Sequence, residues 1–102
     1  MPRPTLIAYI SSSIKITFDT AKDEINRRTR GLSLSAGRIV IENAVTVLAD
    51  VRFNYGEERF VAFGPVEGRL CVCVFTVRGD TTRIISVRRA NDREMRRHGQ
   101  PG

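Results

Sequence analysis

Two short turn signals constrain this chain more than anything else in it. Glu67-Gly68 closes one run of apolar and β-branched residues, and Gly79-Asp80 closes the next. Each is a two-residue connection containing glycine, the kind that joins antiparallel strands. Three consecutive strands are therefore expected over residues 59–66, 69–78 and 81–89. Apolar residues fill the strand centres, while arginines and hydroxyls gather at the ends. The sheet should present a rim suited to an anion.

The rest of the chain fits around that meander. Ile14, Ile16 and Phe18 alternate with polar residues and predict a first strand over 14–18. Asp19 is placed to cap a helix over 21–30, with acids early and basics late, and Gly31 is placed to stop it. Its apolar stripe is thin, with Ala21 and Ile25 followed by Arg28 or Thr29. Ser33 or Ser35 caps a second, shorter helix reaching about Asn43. The Ile39-Val40-Ile41 run inside it is β-branched and a weak helix former. A strand follows over 44–51 and a loop over 52–56. After the meander, Asn91 or Asp92 caps a last helix over 93–98. Residues 1–13, with two prolines and three serines, read as a flexible arm, or as a strand only if a partner receives it, and 99–102 read as a frayed tail. The order β-α-α-β-β-β-β-α describes one small α+β domain over residues 14–98. Its mainly antiparallel sheet is packed with two N-terminal helices and a short C-terminal helix.

Charge narrows the function classes. The 102 residues carry 17 Lys+Arg against 11 Asp+Glu, a net charge of +6. Lys15 and Lys22 are the only lysines, so fifteen of the cations are arginines. Arginine's planar fork matches phosphate and carboxylate, whereas lysine is a point charge. The basic surface is then either simply solvated or made for a polyanion or an acidic protein. A direct DNA-binding regulator is disfavoured, because no helix-turn-helix pattern is present. Cys71 and Cys73 sit two apart on one face of an apolar strand, poorly placed for a mutual disulfide and too few for a zinc site. They read as buried thiols in a reducing compartment. No apolar run approaches a membrane span, and residues 6–10 are too short for a secretory core, so a cytoplasmic location and no membrane partner are expected.

Several short pieces at fixed spacing carry a resemblance. Glu58-Arg59-Phe60, Gly64, Gly68-Arg69, Phe75-Thr76-x-Arg78 and Arg83-Ile84-Ile85-Ser86-x-Arg88-x-Ala90 resemble the BrnT family. Phe18-Asp19-x-Ala21-Lys22 and Asn26 extend the likeness upstream, to roughly residues 14–98. The resemblance implies a RelE-like fold and a ribonuclease toxin of a type II toxin–antitoxin module, which cleaves RNA without metal or cofactor and slows translation. It also implies a BrnA-type antitoxin as partner, with DNA contacted only indirectly through that antitoxin as the complex represses its operon.

Metal-free RNA cleavage uses the ribose 2′-OH as nucleophile. It needs the phosphate charge neutralised, a base at the 2′-OH and a proton for the leaving 5′-oxygen. By resemblance Arg78 and Arg88 are the catalytic or phosphate-clamping residues, with Arg59 next. Ser86 and Thr76 are candidate donors to phosphate, and Glu58 is a candidate base or an ion-pair partner. Arg83, Arg89, Arg69 and Arg30 are candidate RNA contacts.

Alternation places Thr76 with Arg78, and Ser86 with Arg88. A plain two-residue turn sets Arg83 beside Thr76, whereas a longer loop or a bulge brings Ser86 and Arg88 to the Thr76 face. Both registers fit the residues. Where many relatives end the first helix in Lys-His-Gly, this chain has Thr29-Arg30-Gly31. Arg30 keeps the charge but exchanges no proton near pH 7. The only histidine, His98, reads as a solvated tail residue. Two functions follow: an active endoribonuclease toxin or, alternatively, a weakened or inactive relative acting as an antitoxin-binding co-repressor.

Overall fold

The computed structural model describes residues 14–51, 54 and 56–99. The expected arm over 1–13, the tail residues 100–102 and loop residues 52, 53 and 55 lie outside the described residues. The elements run β1 (Lys15–Thr17), α1 (Thr20–Arg30), a 3-10 turn (Leu34–Ala36), α2 (Gly37–Glu42), β2 (Thr46–Asp50), β3 (Arg59–Val66), β4 (Arg69–Arg78), β5 (Thr81–Arg89) and α3 (Asp92–His98). They form a five-stranded sheet in the order β1-β5-β4-β3-β2. Four strands make an antiparallel meander, and β1 joins β5 in parallel, so the sheet is mixed.

Alternation gives the sheet two unlike faces. Phe60, Ala62, Cys71, Cys73, Phe75, Ile84 and Val87 pack inward with Leu34, Val40 and Ile41 from the helical side. Both thiols are free and buried, and burial pushes the Cys73 thiol up to about 12. The opposite face carries Val61, Phe63, Val72 and Val74, and α3 meets it where His98 stacks on Phe63.

The β-branched run at residues 39–41 is helical because tertiary burial outweighs its weak propensity. Val40 and Ile41 are fully enclosed. Gly64 of β3 makes this docking close, since a Cβ there would collide with the Val40 carbonyl and sit 3.1 Å from the Ala44 backbone. Ser33 caps the 3-10 turn rather than α2, which begins at Gly37 with no side-chain cap.

Helix α1 starts and stops as its residues dictate. The Asp19 carboxylate accepts from the backbone N–H groups of Ala21 (2.8 Å) and Lys22 (3.2 Å), and Gly31 ends the helix in the left-handed region at φ 71°. The expected apolar stripe is not what docks it. Ile25 is 53% exposed, while Asp23 and Asn26 are buried. Asp23 accepts from the Leu34 N–H (2.6 Å) and the Ser33 hydroxyl (2.9 Å). Asn26 Nδ2 donates to the carbonyls of Leu32 and Val87, each at 2.8 Å. The reason lies in β1, which pairs only with Thr81, Thr82 and Arg83. The remaining edge of β5 needs polar partners, and α1 supplies one.

Candidate functional site

Two features of the β4–β5 hairpin assemble the site. The turn at Gly79-Asp80 pairs Arg78 with Thr81 and Thr76 with Arg83. The register then slips by one, from Phe75 opposite Ile84 to Val74 opposite Ser86, leaving Ile85 as the extra residue of a β-bulge. Beyond it Val72 faces Arg88. Both registers open to the sequence are thus realised, one on each side of the bulge. Uninterrupted alternation would have turned Arg88 toward the core and Val87 to the outside. Instead Val87 is fully buried, and Arg78, Arg83, Ser86 and Arg88 share the open face. Burying an apolar valine rather than a guanidinium decides the matter.

The face has two charged ends, separated by Val61, Val72 and Val74. At the first, Glu57 lies between two arginines, 3.0 Å from Arg78 Nη2 and 3.6 Å from Arg59 Nε. The hydrogen bond from Arg78 is the main reason the Glu57 carboxyl titrates below its ordinary range. Arg59 stands opposite Asp50 of β2, and Arg83 lies on the same face beside Thr17 of β1. At the second end, Arg88 donates from Nη1 and Nη2 to the two oxygens of Glu94, each at 2.7 Å. That pair is the first cause of a Glu94 carboxyl lowered to about 2. From Val72 to Thr76 on β4, at ~3.3 Å per residue, the two ends are about 13 Å apart.

A cleft of about 430 Å³ opens along this face. Arg30, Asp50, Ser86, Arg88 and Glu94 form its polar lining, and Leu48, Val61, Phe63, Val72 and Val74 its apolar floor. Arg30, from the end of α1, lines the cleft and makes no ion pair among the described residues.

The other expected residues divide. Thr76 is buried, and its hydroxyl donates to the Glu58 carbonyl at 2.6 Å, so it fixes the start of β3 rather than facing solvent. The Glu58 carboxylate is exposed and forms no ion pair among the described residues, whereas Glu57, which sequence reasoning passed over, meets the arginines. Spacing from Phe60 cannot reveal this, because Glu57 lies ahead of the strand and its direction is set by the loop. Arg89 turns to the helical side and donates to the Arg30 carbonyl at 3.2 Å. Arg69 joins Arg89 around a separate hollow with Met95. Thr29 donates to the Ile25 carbonyl of its own helix at 2.8 Å.

His98 also departs from its expected solvated place. Its ring stacks on Phe63 with centroids 4.0 Å apart, at the margin of the cleft. The signal was available in principle: Glu94 and His98 are four apart on one helix face. Among the described residues no three His, Cys, Asp or Glu side chains converge as a metal-ligand set, and no helix is long and apolar enough to cross a membrane. Arranged this way, the face can bind and neutralise phosphates at two points and hold bases on an apolar floor.

No curated protein matches the chain. A family model described as "Ribonuclease toxin, BrnT, of type II toxin-antitoxin system" matches residues 18–94, and these span the cap of α1, the whole meander and the Arg88–Glu94 pair. The chain belongs to that family of toxins.

Proposed function

We propose that this chain is an active endoribonuclease that cleaves RNA by attack of the ribose 2′-OH, without a metal ion, on the open face of a RelE-like sheet. The observation that carries the reading is the bulge at Ile85, because with it Arg78, Arg83, Ser86 and Arg88 share one face with Arg59. Arg78 and Arg88 neutralise the phosphate, Arg59 holds Glu57 beside them, and Ser86 donates to a phosphate oxygen. Arg83 and Arg30 carry the flanking nucleotides. Arg78 is more than half exposed in its pair with Glu57, where water screens the attraction, so a phosphate can displace Glu57. A BrnA-type antitoxin holds the toxin inactive by covering this basic face, and DNA is met only through that partner. The site of action is the cytoplasm.

Induced expression of the wild type and of Arg78→Ala, with total RNA followed in parallel, tests the reading. Growth arrest with RNA decay only in the wild type is the expected result. Antitoxin affinity should stay within about tenfold, or ~1.4 kcal/mol. Persistence of RNA decay in a chelator-treated in vitro assay is the companion result for metal independence.

One observation favours a second reading, an inactive co-repressor. Thr29 spends its hydroxyl on its own helix, and Arg78 and Arg88 are already paired with Glu57 and Glu94. Soluble folded wild type that causes neither arrest nor RNA decay, yet binds antitoxin, establishes that reading instead.

A further inference from the structure

We propose that His98 is the general base of the ribonuclease reaction, a role that rests on the ribonuclease reading above. The arginines of the open face bind phosphate but exchange no protons near neutral pH. Glu94 is a poor proton acceptor, since its carboxyl is held far below its ordinary range by Arg88. Glu57 is likewise held as a carboxylate by Arg78. The end of α1 offers a hydroxyl at Thr29 and a guanidinium at Arg30, and no imidazole. His98 is the chain's only imidazole, and it lies beyond the matched residues 18–94.

Its setting suits the task. The capping box of Asn91 and Glu94 starts α3 firmly, and Arg88 ties the helix to β5. One turn beyond Glu94, the imidazole lies over Phe63, whose own exposure falls to 5%. The ring is therefore held by its flat face, while its nitrogens make no hydrogen bond among the described residues. Phe63, on which the ring stacks, lines the cleft together with Ser86 and Arg88. Glu94 on its own helix interacts electrostatically with His98, and the other charged groups of the cleft are Arg88 on β5, Arg30 on α1 and Asp50 on β2.

In the reaction a ring nitrogen takes the proton as the ribose 2′-O–H bond breaks. The 2′-oxygen bonds to phosphorus and the P–O5′ bond breaks, giving a 2′,3′-cyclic phosphate. A solvent water protonates the departing 5′-oxygen. The imidazolium then returns its proton to the hydroxide left behind, so protons and charge balance.

The test uses the full chain and a labelled single-stranded RNA, with the 2′-deoxy oligonucleotide as a non-cleavable binding probe. His98→Gln and His98→Ala should slow cleavage by about 10²–10⁴-fold while binding the probe within about threefold of wild type. The acid limb of the wild-type kcat/KM profile should disappear in His98→Gln. Free imidazole should restore a saturable part of the His98→Ala rate. Variants that cleave like wild type overturn the assignment and leave the ribonuclease reading standing. Slowed variants that keep the pH profile and ignore imidazole make His98 a structural residue only, and also overturn it. A folded wild type that cleaves no RNA removes the ribonuclease reading and this proposal together.

Discussion

Arg88 both ties α3 to the sheet and faces the cleft, and two substitutions separate these roles. Glu94→Gln removes the carboxylate charge, keeps an oxygen for the capping box and leaves the Arg88 cation in place. Arg88→Ala removes cation and tie together. If Arg88 clamps phosphate, Arg88→Ala should lower RNA cleavage by about ten- to a hundredfold, the range of a charge-assisted hydrogen bond, and clearly more than Glu94→Gln does. Equal losses in both would show that the arginine matters only through α3. Asn26 and Ile25 make a similar contrast. Asn26→Ala leaves the Leu32 and Val87 carbonyls without their donor and should cost about 1–3 kcal/mol in denaturant unfolding. Ile25→Ala, at an exposed position, should fall within about 0.5 kcal/mol of wild type. A ranking by hydrophobicity alone predicts the reverse.

Among the elements, α3 is held chiefly by electrostatics and one ring stack, and its pH response follows. The Glu94 carboxyl ordinarily titrates near 4.5 and is lowered to about 2 in the folded chain. Its contribution is therefore complete above pH 4.5 and is lost as pH falls toward 2. Amide exchange in α3 should stay protected at pH 4.5 and accelerate progressively below it, with Glu94→Gln removing that acid dependence. Most element positions were legible because local signals agreed: Asp19 and Gly31 bound α1, glycine turns bound the strands, and Asn91 begins α3. The side on which α1 docks was not legible. Its buried residues are polar, and their partners, Leu34 and the Val87 carbonyl, are distant in sequence.

For the molecule as a whole, the net charge of +6 and the clustering of Arg30, Arg59, Arg78, Arg83 and Arg88 on one sheet face bear on binding strength. Each phosphate neutralised on a single strand contributes about −0.7 to the slope of log K against log salt. Engagement of about three phosphates predicts a slope near −2 for the full chain, falling by about 0.7 in Arg83→Ala. An unchanged slope would place Arg83 outside the RNA path. The sequence by itself determined the α+β class, the strand meander, the basic character and the family resemblance. Those depend on local turn chemistry, periodicity and short motifs. Only the tertiary structure decided which residues meet. The bulge at Ile85 turns Ser86 and Arg88 outward because burying Val87 is favourable and burying a guanidinium is not. Glu57, rather than Glu58, reaches the arginines because the loop before β3 aims it, and the packing of α3 brings His98 onto Phe63. Each of these outcomes depends on contacts between segments apart in the chain, which local patterns alone do not fix.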